Sequence, residues 1–323
     1  MRVVVTGGTG FIGRTLVGAL VARGDAVGVP TRDPARARAL LGPAVAAVAW
    51  NGRDPEPLAR LLAGPRPCAV VNLAGEPIAA GRWTFARKAR ILESRVLAGR
   101  AVAEAASMAE APPAVVVQGS AVGYYGPRAS RSGDVLGESR PCGPGFLAEV
   151  CRQWEASSEA VEGLGTRRVV IRTGLVLGPG GGMLARMLPA FRLFLGGPLG
   201  GGGQWLPWVH LADVVGAVLW LLDDASASGP YNLCAPKAAT MAGFCRELGK
   251  AMGRPSWLAV PSPVLALLLG AEMARETVLA SQRAAPLRLD AGGYHFVLPD
   301  LGQALAACLD GRPEPPGGRT SPQ

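Results

Sequence analysis

The residues with the clearest chemistry in this sequence form a glycine-rich turn close to its start, in the stretch MRVVVTGGTGFIG. A short apolar run precedes the glycines and apolar residues at helical spacing follow them, which predicts a strand, a tight turn and a helix. The glycines satisfy both the G-x-G-x-x-G and the T-G-x-x-G-x-x-G spacing. Such glycines let the backbone approach a pyrophosphate, whose charge then lies at the helix N-terminus. The residues predicted to bind a dinucleotide here are Gly7, Thr9, Gly10, Phe11, Ile12 and Gly13.

A purely structural turn is the alternative interpretation of this glycine cluster. Glycine makes up 45 of the 323 residues, so chance matches to a glycine pattern are easy. The position of the match favours the binding site, because it follows a predicted strand and opens a predicted helix where a doubly wound fold begins.

The end of the second predicted strand, Ala26 to Pro30, would face the ribose of a bound dinucleotide. It reads Thr31-Arg32, about twenty residues after the glycines, where NAD-binding folds usually carry a carboxylate and where an arginine suits the 2′-phosphate of NADP. A guanidinium can meet a phosphate with two charge-assisted hydrogen bonds, so we expect Arg32 to turn inward and Asp33 outward. The alternative is a solvated arginine. Thr31 and Arg32 therefore predict NADP(H) as the cofactor.

Small residues follow the next buried strand, Cys68 to Leu73, which is a continuous apolar run. A cofactor that crosses the carboxyl edge of a parallel sheet needs small residues at that place. A long predicted helix, Trp83 to Met108, follows with arginines at near-helical spacing, and its first turns would lie near the cofactor. Surface arginines are the alternative. The candidates for cofactor binding in this region are Leu73, Ala74, Gly75, Arg90 and Arg95.

Hydroxyl-bearing residues come directly after the fifth predicted strand, Ala114 to Gln118. Ser120 is the first hydroxyl after this strand, and Tyr124 and Tyr125 are the nearest phenols in sequence. A positioned hydroxyl or phenol can take part in proton transfer. The alternative for the tyrosines is a packing role. Ser120, Tyr124 and Tyr125 are the predicted catalytic residues.

The composition limits the classes of function. The chain has only two histidines, and its six cysteines contain no C-x-x-C pair, so we expect no metal site. The net charge of +9 comes from arginines spread along the chain, which favours an anionic cofactor over nucleic acid. No apolar run approaches the roughly 18 residues that a membrane span needs, and no signal peptide precedes the glycine turn. We therefore expect a cytoplasmic protein with a small-molecule substrate and neither a membrane nor a nucleic-acid partner.

Several longer motifs carry a resemblance to a known family. They are NLAGEPI (72–78), SAVGYYG (120–126), VCRQWE (150–155), IRTGLVLG (171–178), PWVHLADVV (207–215) and, near the C-terminus, SQRAAP (281–286). Together with the glycine turn they resemble the extended short-chain dehydrogenase/reductase superfamily. More narrowly, they resemble its atypical "epimerase family" group of NADP-dependent oxidoreductases, which has its own C-terminal domain.

The resemblance implies an α/β fold, with a Rossmann-type doubly wound parallel sheet and a smaller C-terminal α/β substrate lobe. The nucleotide domain would comprise residues 1–178 with a return segment at 207–228, and the substrate lobe residues 179–206 and 229–309. Residues 310–323 would be a disordered tail. The resemblance also assigns Val176 to the cofactor site, and by analogy with the superfamily it suggests a homodimer.

One departure from the superfamily bears on activity. Aligning the segment FLAEVCRQWEASSEAVEG on Trp154-Glu155 puts Leu147 in the place of the usual catalytic tyrosine and Cys151 in the place of the usual lysine. We predict an NADP(H)-dependent oxidoreductase or epimerase-like enzyme acting on an unidentified small molecule. The alternative is a weakly active or inactive NADP-binding protein with a regulatory or structural role, for example in division. True sugar-nucleotide epimerisation is less favoured, because it relies on the missing pair.

Overall fold

The computed structural model of the protein describes residues 1–64, 67–128, 130 and 133–310. The strands in this part of the chain are β1 (Arg2–Thr6), β2 (Ala26–Thr31), β3 (Val45–Ala49), β4 (Cys68–Asn72), β5 (Val115–Ala121), β6 (Arg167–Thr173), β7 (Leu175–Leu177), β8 (Trp205–Leu206), β9 (Trp208–His210), β10 (Gly229–Leu233) and β11 (Ala239–Thr240). The α-helices are α1 (Phe11–Ala22), α2 (Pro34–Leu41), α3 (Glu56–Leu62), α4 (Phe85–Met108), α5 (Phe146–Ala156), α6 (Gly182–Arg192), α7 (Leu211–Asp223), α8 (Met241–Met252), α9 (Ser262–Leu269), α10 (Ala271–Glu276), α11 (Leu287–Ala291) and α12 (Leu301–Asp310). Short 3-10 helices cover Val122–Tyr125 and Glu159–Leu164.

Seven strands form one parallel sheet in the order β10-β6-β5-β4-β1-β2-β3. The inner strands β1, β4 and β5 are buried along nearly their whole length, as apolar strands covered on both faces must be. The strand order reverses between β1 and β4, so the carboxyl ends of these two strands meet at the switch point where such sheets bind ligands. The doubly wound, Rossmann-type sheet expected from the sequence is confirmed.

Helices bury both faces of this sheet. One core lies beneath α1 and α7 and includes Leu16, Leu20 and Val214. The other lies beneath α3 and α4 and includes Leu58 and Val102. The carboxyl edge of the sheet is therefore held between two packed layers.

A further core belongs to the smaller lobe, where α6, α8 and α12 pack around Phe191, Trp208 and Phe244. Two small sheets accompany it, with β7 parallel to β9 and β8 antiparallel to β11. Because β9 leads directly into α7, which packs in the same core as α1, the small sheet β7–β9 joins the lobe to the large sheet.

Two predicted boundaries were wrong. The fifth strand was expected to end at Gln118, but β5 continues to Ala121, so Ser120 lies inside the strand. The chain from residue 229 onward was expected in the smaller lobe, but β10 is the edge strand of the large sheet and pairs with β6. A strand that reads GPYNL lacks a continuous apolar run, and its proline is tolerated because the strand lies at an edge.

Two sequence-based expectations concern the ends and surface of the molecule. Of the tail predicted at 310–323, only Asp310 is described, as the last residue of α12, and residues 311–323 lie outside the described ranges. Within the described ranges, no helix combines the length and the apolar character that a membrane span requires.

Candidate functional site

The glycine turn between β1 and α1 has the geometry of a close backbone approach. Gly7 has a φ of +69°, which residues with a side chain rarely adopt, and a Cβ there would lie 2.7 Å from the carbonyl oxygen of Leu73. A Cβ on Gly13 would lie only 2.2 Å from the carbonyl oxygen of Gly7. Glycine is therefore required at both positions for α1 to pack this closely on the turn.

The first turn of α1 is suited to an anion. Its N-cap is Gly10, which provides no side-chain acceptor, and the first turn contains no acidic residue. The first N–H groups of a helix lack intrahelical partners and lie at the positive end of the helix dipole, so they bind anions. A pyrophosphate fits this cradle, and the six residues predicted for binding (Gly7, Thr9, Gly10, Phe11, Ile12 and Gly13) all belong to it.

A chain of buried polar side chains ties the strands β1, β4 and β5 together beside the turn. The Thr6 hydroxyl donates to Asn72 Oδ1 at 2.6 Å, and Asn72 Nδ2 donates to Gln118 Oε1 at 3.0 Å. The Thr6 hydroxyl oxygen also accepts a hydrogen bond from the backbone N–H of Ala74 at 3.3 Å, which orders the loop Leu73 to Gly75. Thr6 and Gln118 were missed as site residues, although a polar residue within a buried apolar strand was the signal that could have found them.

At the end of β2, Arg32 is exposed, whereas its acidic neighbour Asp33 is hydrogen-bonded to α2. Asp33 caps α2, accepting a hydrogen bond from the backbone N–H of Arg36 at 2.9 Å. Thr31 is half-buried, and Arg32 is exposed at the carboxyl edge of the sheet. The carboxylate of Asp33 thus has a partner on its own helix, and the Arg32 guanidinium is accessible to an anionic ligand.

Of the two candidate arginines on α4, Arg90 is exposed, whereas Arg95 already has partners within the protein. Arg95 Nη1 donates to the carbonyl oxygens of Glu76 at 3.0 Å and of Ile91 at 2.9 Å, and its guanidinium lies 5.0 Å from the centre of the Trp154 ring. The Arg95 side chain also lies directly against Gly75. Arg95 is therefore not a free surface arginine, because its Nη1 donors hold the loop after β4, and its role in cofactor binding stays a prediction.

The loop after β7 lies over the start of α1. A Cβ on Gly181 would come 2.4 Å from the Phe11 ring, and one on Gly182 would come 2.9 Å from the carbonyl oxygen of Val176. Val176 is half-buried and pairs with Val209 of β9. Phe11 and Val176 therefore line the same side of the phosphate-binding turn, although 165 residues separate them in sequence.

The predicted catalytic serine is part of a buried charged cluster. Ser120 Oγ donates to Glu155 Oε1 at 2.6 Å, and the Arg172 guanidinium donates to both oxygens of Glu155, each at 2.9 Å. Ser120 is only 4% exposed. Glu155 and Arg172 were missed as functional residues, although an arginine inside the apolar strand β6 was a visible signal.

The two predicted catalytic tyrosines differ in their surroundings. The Tyr125 hydroxyl donates to Asn232 Oδ1 at 2.7 Å and accepts from Arg172 Nη1 at 3.3 Å, and the residue is 3% exposed. The Tyr125 hydroxyl is therefore fully engaged within the protein, which favours the alternative of a packing role over a catalytic one. Tyr124 is half-buried and its ring lies over the Arg172 guanidinium, 3.5 Å from the ring centre. Burial raises the pKa of both phenols, so neither is poised to lose a proton near neutral pH.

Helix α5 holds Leu147 and Cys151 beside the serine, and neither can replace a tyrosine–lysine pair. Burial, followed by the charge of Glu155, raises the pKa of the Cys151 thiol to about 11, so the thiol stays protonated and uncharged. The helix begins against the smaller lobe, where the buried carboxylate of Glu276 accepts from the backbone N–H groups of Phe146 at 3.0 Å and Leu147 at 2.8 Å. The C-terminal lobe thus sets the position of α5.

The SQRAAP motif has a similar role on the other side of the cluster. Gln282 Nε2 donates to the carbonyl oxygen of Gly126 at 2.8 Å, and the backbone N–H of Arg283 donates to Ser130 Oγ at 2.8 Å. The motif therefore holds the segment that follows the two tyrosines. The described residues contain no group of three or more His, Cys, Asp or Glu side chains arranged to hold a metal ion.

Comparisons with known proteins agree with this architecture. The family model described as "NAD dependent epimerase/dehydratase family" matches residues 3–234, and the one described as "Domain of unknown function (DUF1731)" matches residues 260–308. The epimerase family protein SDR39U1 of Bos taurus is 38% identical over 309 residues, which cover 94% of this chain and 98% of that protein. Its chloroplastic homologue of Arabidopsis thaliana is 40% identical, over 96% of this chain and 87% of that protein.

Solved structures extend the comparison to three dimensions. The crystal structure of human epimerase family protein SDR39U1 (isoform 2) with NADPH is similar with a TM-score of 0.83 and 36% identity, over 96% of this chain and 99% of that one. UDP-glucose 4-epimerase of Thermus thermophilus, solved with NAD, has a TM-score of 0.78 at 23% identity, which shows a shared fold alone.

The parallel sheet, the glycine turn at its switch point and the C-terminal lobe together define an extended short-chain dehydrogenase/reductase. More narrowly, the chain belongs to the NAD dependent epimerase/dehydratase family and carries the C-terminal domain of the epimerase family proteins. The resemblance found in the sequence motifs is thereby confirmed.

Proposed function

We propose that the protein is an NADP(H)-dependent oxidoreductase or epimerase-like enzyme whose small-molecule substrate binds between the large sheet and the C-terminal lobe. The observation that carries the proposal is the glycine cradle, where Cβ atoms on Gly7 or Gly13 would collide with backbone atoms at an uncapped helix N-terminus. A cofactor bound there supplies hydride transfer. The exposed Arg32 at the ribose end of the cradle supports NADP(H) over NAD(H), and so does the NADPH in the human relative's structure.

The second candidate is an NADP-binding protein with weak or no turnover and a regulatory or structural role. The observation that favours it is helix α5, which presents Leu147 and an uncharged Cys151 beside Ser120. Incubation with NADPH and a fractionated metabolite extract distinguishes the two candidates. A substrate-dependent change in the reduced-nicotinamide absorbance, either a loss with NADPH or a gain when NADP⁺ replaces it, supports the enzyme. Cofactor binding without either change in any fraction supports the second candidate. A cytoplasmic location and a homodimer stay predictions.

The test of cofactor choice is the substitution Arg32→Ala. Hydrogen bonds to charged groups are worth roughly 1.5 to 3 kcal/mol, so the loss of Arg32 should weaken NADPH binding by about 10-fold to 150-fold. NADH has no 2′-phosphate and its affinity should change much less. The measurement is a fluorescence titration with both cofactors at one fixed, low ionic strength, because salt screens the contrast.

Arg100→Ala, which removes an exposed arginine further along α4, is the matched control and should leave both affinities unchanged. Equal losses of NADPH and NADH affinity in Arg32→Ala, or a wild-type protein that prefers NADH, would show that Arg32 is a solvated surface residue.

A further inference from the structure

The single proton of the Ser120 hydroxyl is already committed within the protein. A serine hydroxyl has one donor and two acceptor positions. The donor of Ser120 is directed at Glu155 Oε1 with an O···O distance of 2.6 Å, which is typical of a charge-assisted bond. Toward a ligand, Ser120 therefore presents only acceptor lone pairs.

While Glu155 is ionised, its carboxylate keeps accepting the hydrogen bond from the Ser120 hydroxyl. An ionised carboxylate only accepts hydrogen bonds, and the two donors from Arg172 hold the carboxylate of Glu155 in place. Arg172 itself is held by the carbonyl oxygen of Glu138 at 3.0 Å and by the ring of Tyr124. Of the ion pair, the Glu155 side chain is 13% exposed and that of Arg172 is 5% exposed, so Glu155 is the partner nearer to water.

We propose that Glu155, acting through Ser120, accepts the proton of the substrate in place of the missing tyrosine, and that the site consequently selects a ligand that brings its own donor, namely an alcohol. A ketone of the same shape would place its oxygen lone pairs against those of Ser120, with no proton between them. This inference rests on the proposed function, because it requires oxidised NADP to take the hydride.

The reaction balances as an alcohol oxidation. The carbinol C–H bond breaks and its hydride passes to oxidised NADP, while the alcohol O–H proton passes to Ser120 Oγ. The original Ser120 proton passes to Glu155 Oε1 at the same time. The products are a carbonyl compound, NADPH and a protonated Glu155, and Arg172 keeps its charge and restores the carboxylate when the proton leaves to water. Ser120 is then the catalytic residue, and Glu155 and Arg172 position it.

The experiment measures equilibrium affinities for matched alcohol and ketone probes by ligand-observed NMR titration, without added NADP⁺ or NADPH so that no hydride transfer interconverts the probes. The probe pairs are cyclohexanol with cyclohexanone and 1-phenylethanol with acetophenone. The wild-type protein should bind the alcohol of a pair about 10-fold more tightly than the ketone, the scale of one unpaired polar group. Ser120→Ala should weaken the alcohol by about 3-fold to 10-fold and leave the ketone unchanged.

A conservative substitution at the carboxylate gives a readout that structural damage would not produce. In Glu155→Gln the amide N–H can donate to Ser120 Oγ, which frees the Ser120 proton for a ligand acceptor. Because Arg172 Nε donates to the same Oε1 position and favours the amide oxygen there, only some molecules present the freed Ser120 proton. The preference for the alcohol should therefore fall toward equality, whereas a damaged site would weaken both probes equally. Ser226→Ala is the matched control, because the Ser226 hydroxyl also donates to a carboxylate, that of Asp224 at 2.7 Å, but on the exposed surface.

NADPH affinity is measured first on separate aliquots of the same samples. Its absence would count against the proposed function as a whole. Normal NADPH binding together with a wild-type preference for ketones, equal affinity for both probes, or no alcohol binding would overturn the role of Ser120 and Glu155 alone. If Glu155→Gln does not fold, the two probe affinities of Ser120→Ala test the proposal instead. A loss of ketone affinity in Ser120→Ala would show that Ser120 donates to the ligand and would overturn the proposal.

Discussion

Two regions lie at the same carboxyl edge of one sheet but are built in opposite ways. They are the glycine turn between β1 and α1, called here the cofactor turn, and the cluster of Ser120, Glu155 and Arg172, called here the serine corner. The turn is made of backbone, since Gly7 and Gly13 act through the Cβ atoms that they lack. The corner is made of side chains, since Ser120, Glu155 and Arg172 act through hydrogen bonds between three different elements.

This difference explains why the cofactor turn resembles the superfamily closely and the serine corner departs from it. A backbone cradle binds any pyrophosphate in the same way, so its requirements are steric and do not depend on the substrate. A side-chain cluster is held by its partners, and because α5 contains neither tyrosine nor lysine, the buried polar groups beside it must satisfy one another. The following predictions test that contrast.

The largest expected effect is at the serine corner, with Arg172→Met. Removing one partner of a buried ion pair leaves an uncompensated charge, which costs about 3 to 5 kcal/mol in the free energy of unfolding. Urea denaturation is the measurement. The double variant Arg172→Met with Glu155→Gln removes both charges and should recover much of this loss. A double variant as unstable as the single one would show that packing, and not the charge of Glu155, causes the effect.

The next largest effect is a loss of stability at acid pH, which we expect from the buried imidazole of His210. Burial lowers the pKa of His210 to about 4, below the ordinary value of 6.5, and its Nε2 is buried without a hydrogen-bond partner among the described residues. Between pH 6.5 and about 4, His210 is therefore protonated in the unfolded chain but neutral in the folded protein. The free energy of unfolding should be highest above pH 6.5 and should fall by about 3 kcal/mol as the pH decreases from 6.5 to about 4.

His210→Asn is the control for this pH dependence. The Asn side chain can still accept the hydrogen bond that His210 Nδ1 receives from the backbone N–H of Ala212, but it does not titrate. The variant should lose most of the fall in thermal midpoint between neutral pH and pH 4. An unchanged slope would assign the acid sensitivity to other groups.

The smallest effect on stability is expected at the cofactor turn, with Gly13→Ala. The added Cβ would overlap the carbonyl oxygen of Gly7, so the helix must shift, and overpacking of this kind costs about 1 to 3 kcal/mol. The shift also displaces the N–H groups of the first turn of α1 that are expected to bind the pyrophosphate, so NADPH binding should weaken by about 10-fold, which corresponds to about 1.4 kcal/mol of lost interaction.

Gly18→Ala lies on the same helix, where a new Cβ would have nothing within 4 Å. It should stabilise the protein by about 0.5 to 1 kcal/mol and leave NADPH affinity unchanged. Equal behaviour of the two variants in thermal denaturation and cofactor titration would mean that the turn is not under steric constraint.

The sequence predicted much of the fold because its signals are local. Apolar runs mark the inner strands, and the glycine spacing marks the turn before α1. The edge strand β10 was missed because its short, proline-containing sequence lacks a buried apolar run, and it is defined by pairing with β6. The partners of Arg95 were not visible in the sequence, because helical spacing does not reveal that the side chain lies against Gly75 and Trp154.

By itself, the sequence determined that a parallel sheet opens with a dinucleotide-type turn, because steric requirements of the backbone appear directly as residue types. It also determined that the segment forming α5 contains neither tyrosine nor lysine. Only the tertiary structure decided what replaces them. Ser120, Glu155 and Arg172 come from β5, α5 and β6, and the direction in which a hydroxyl proton points depends on partners that become neighbours only when the chain folds.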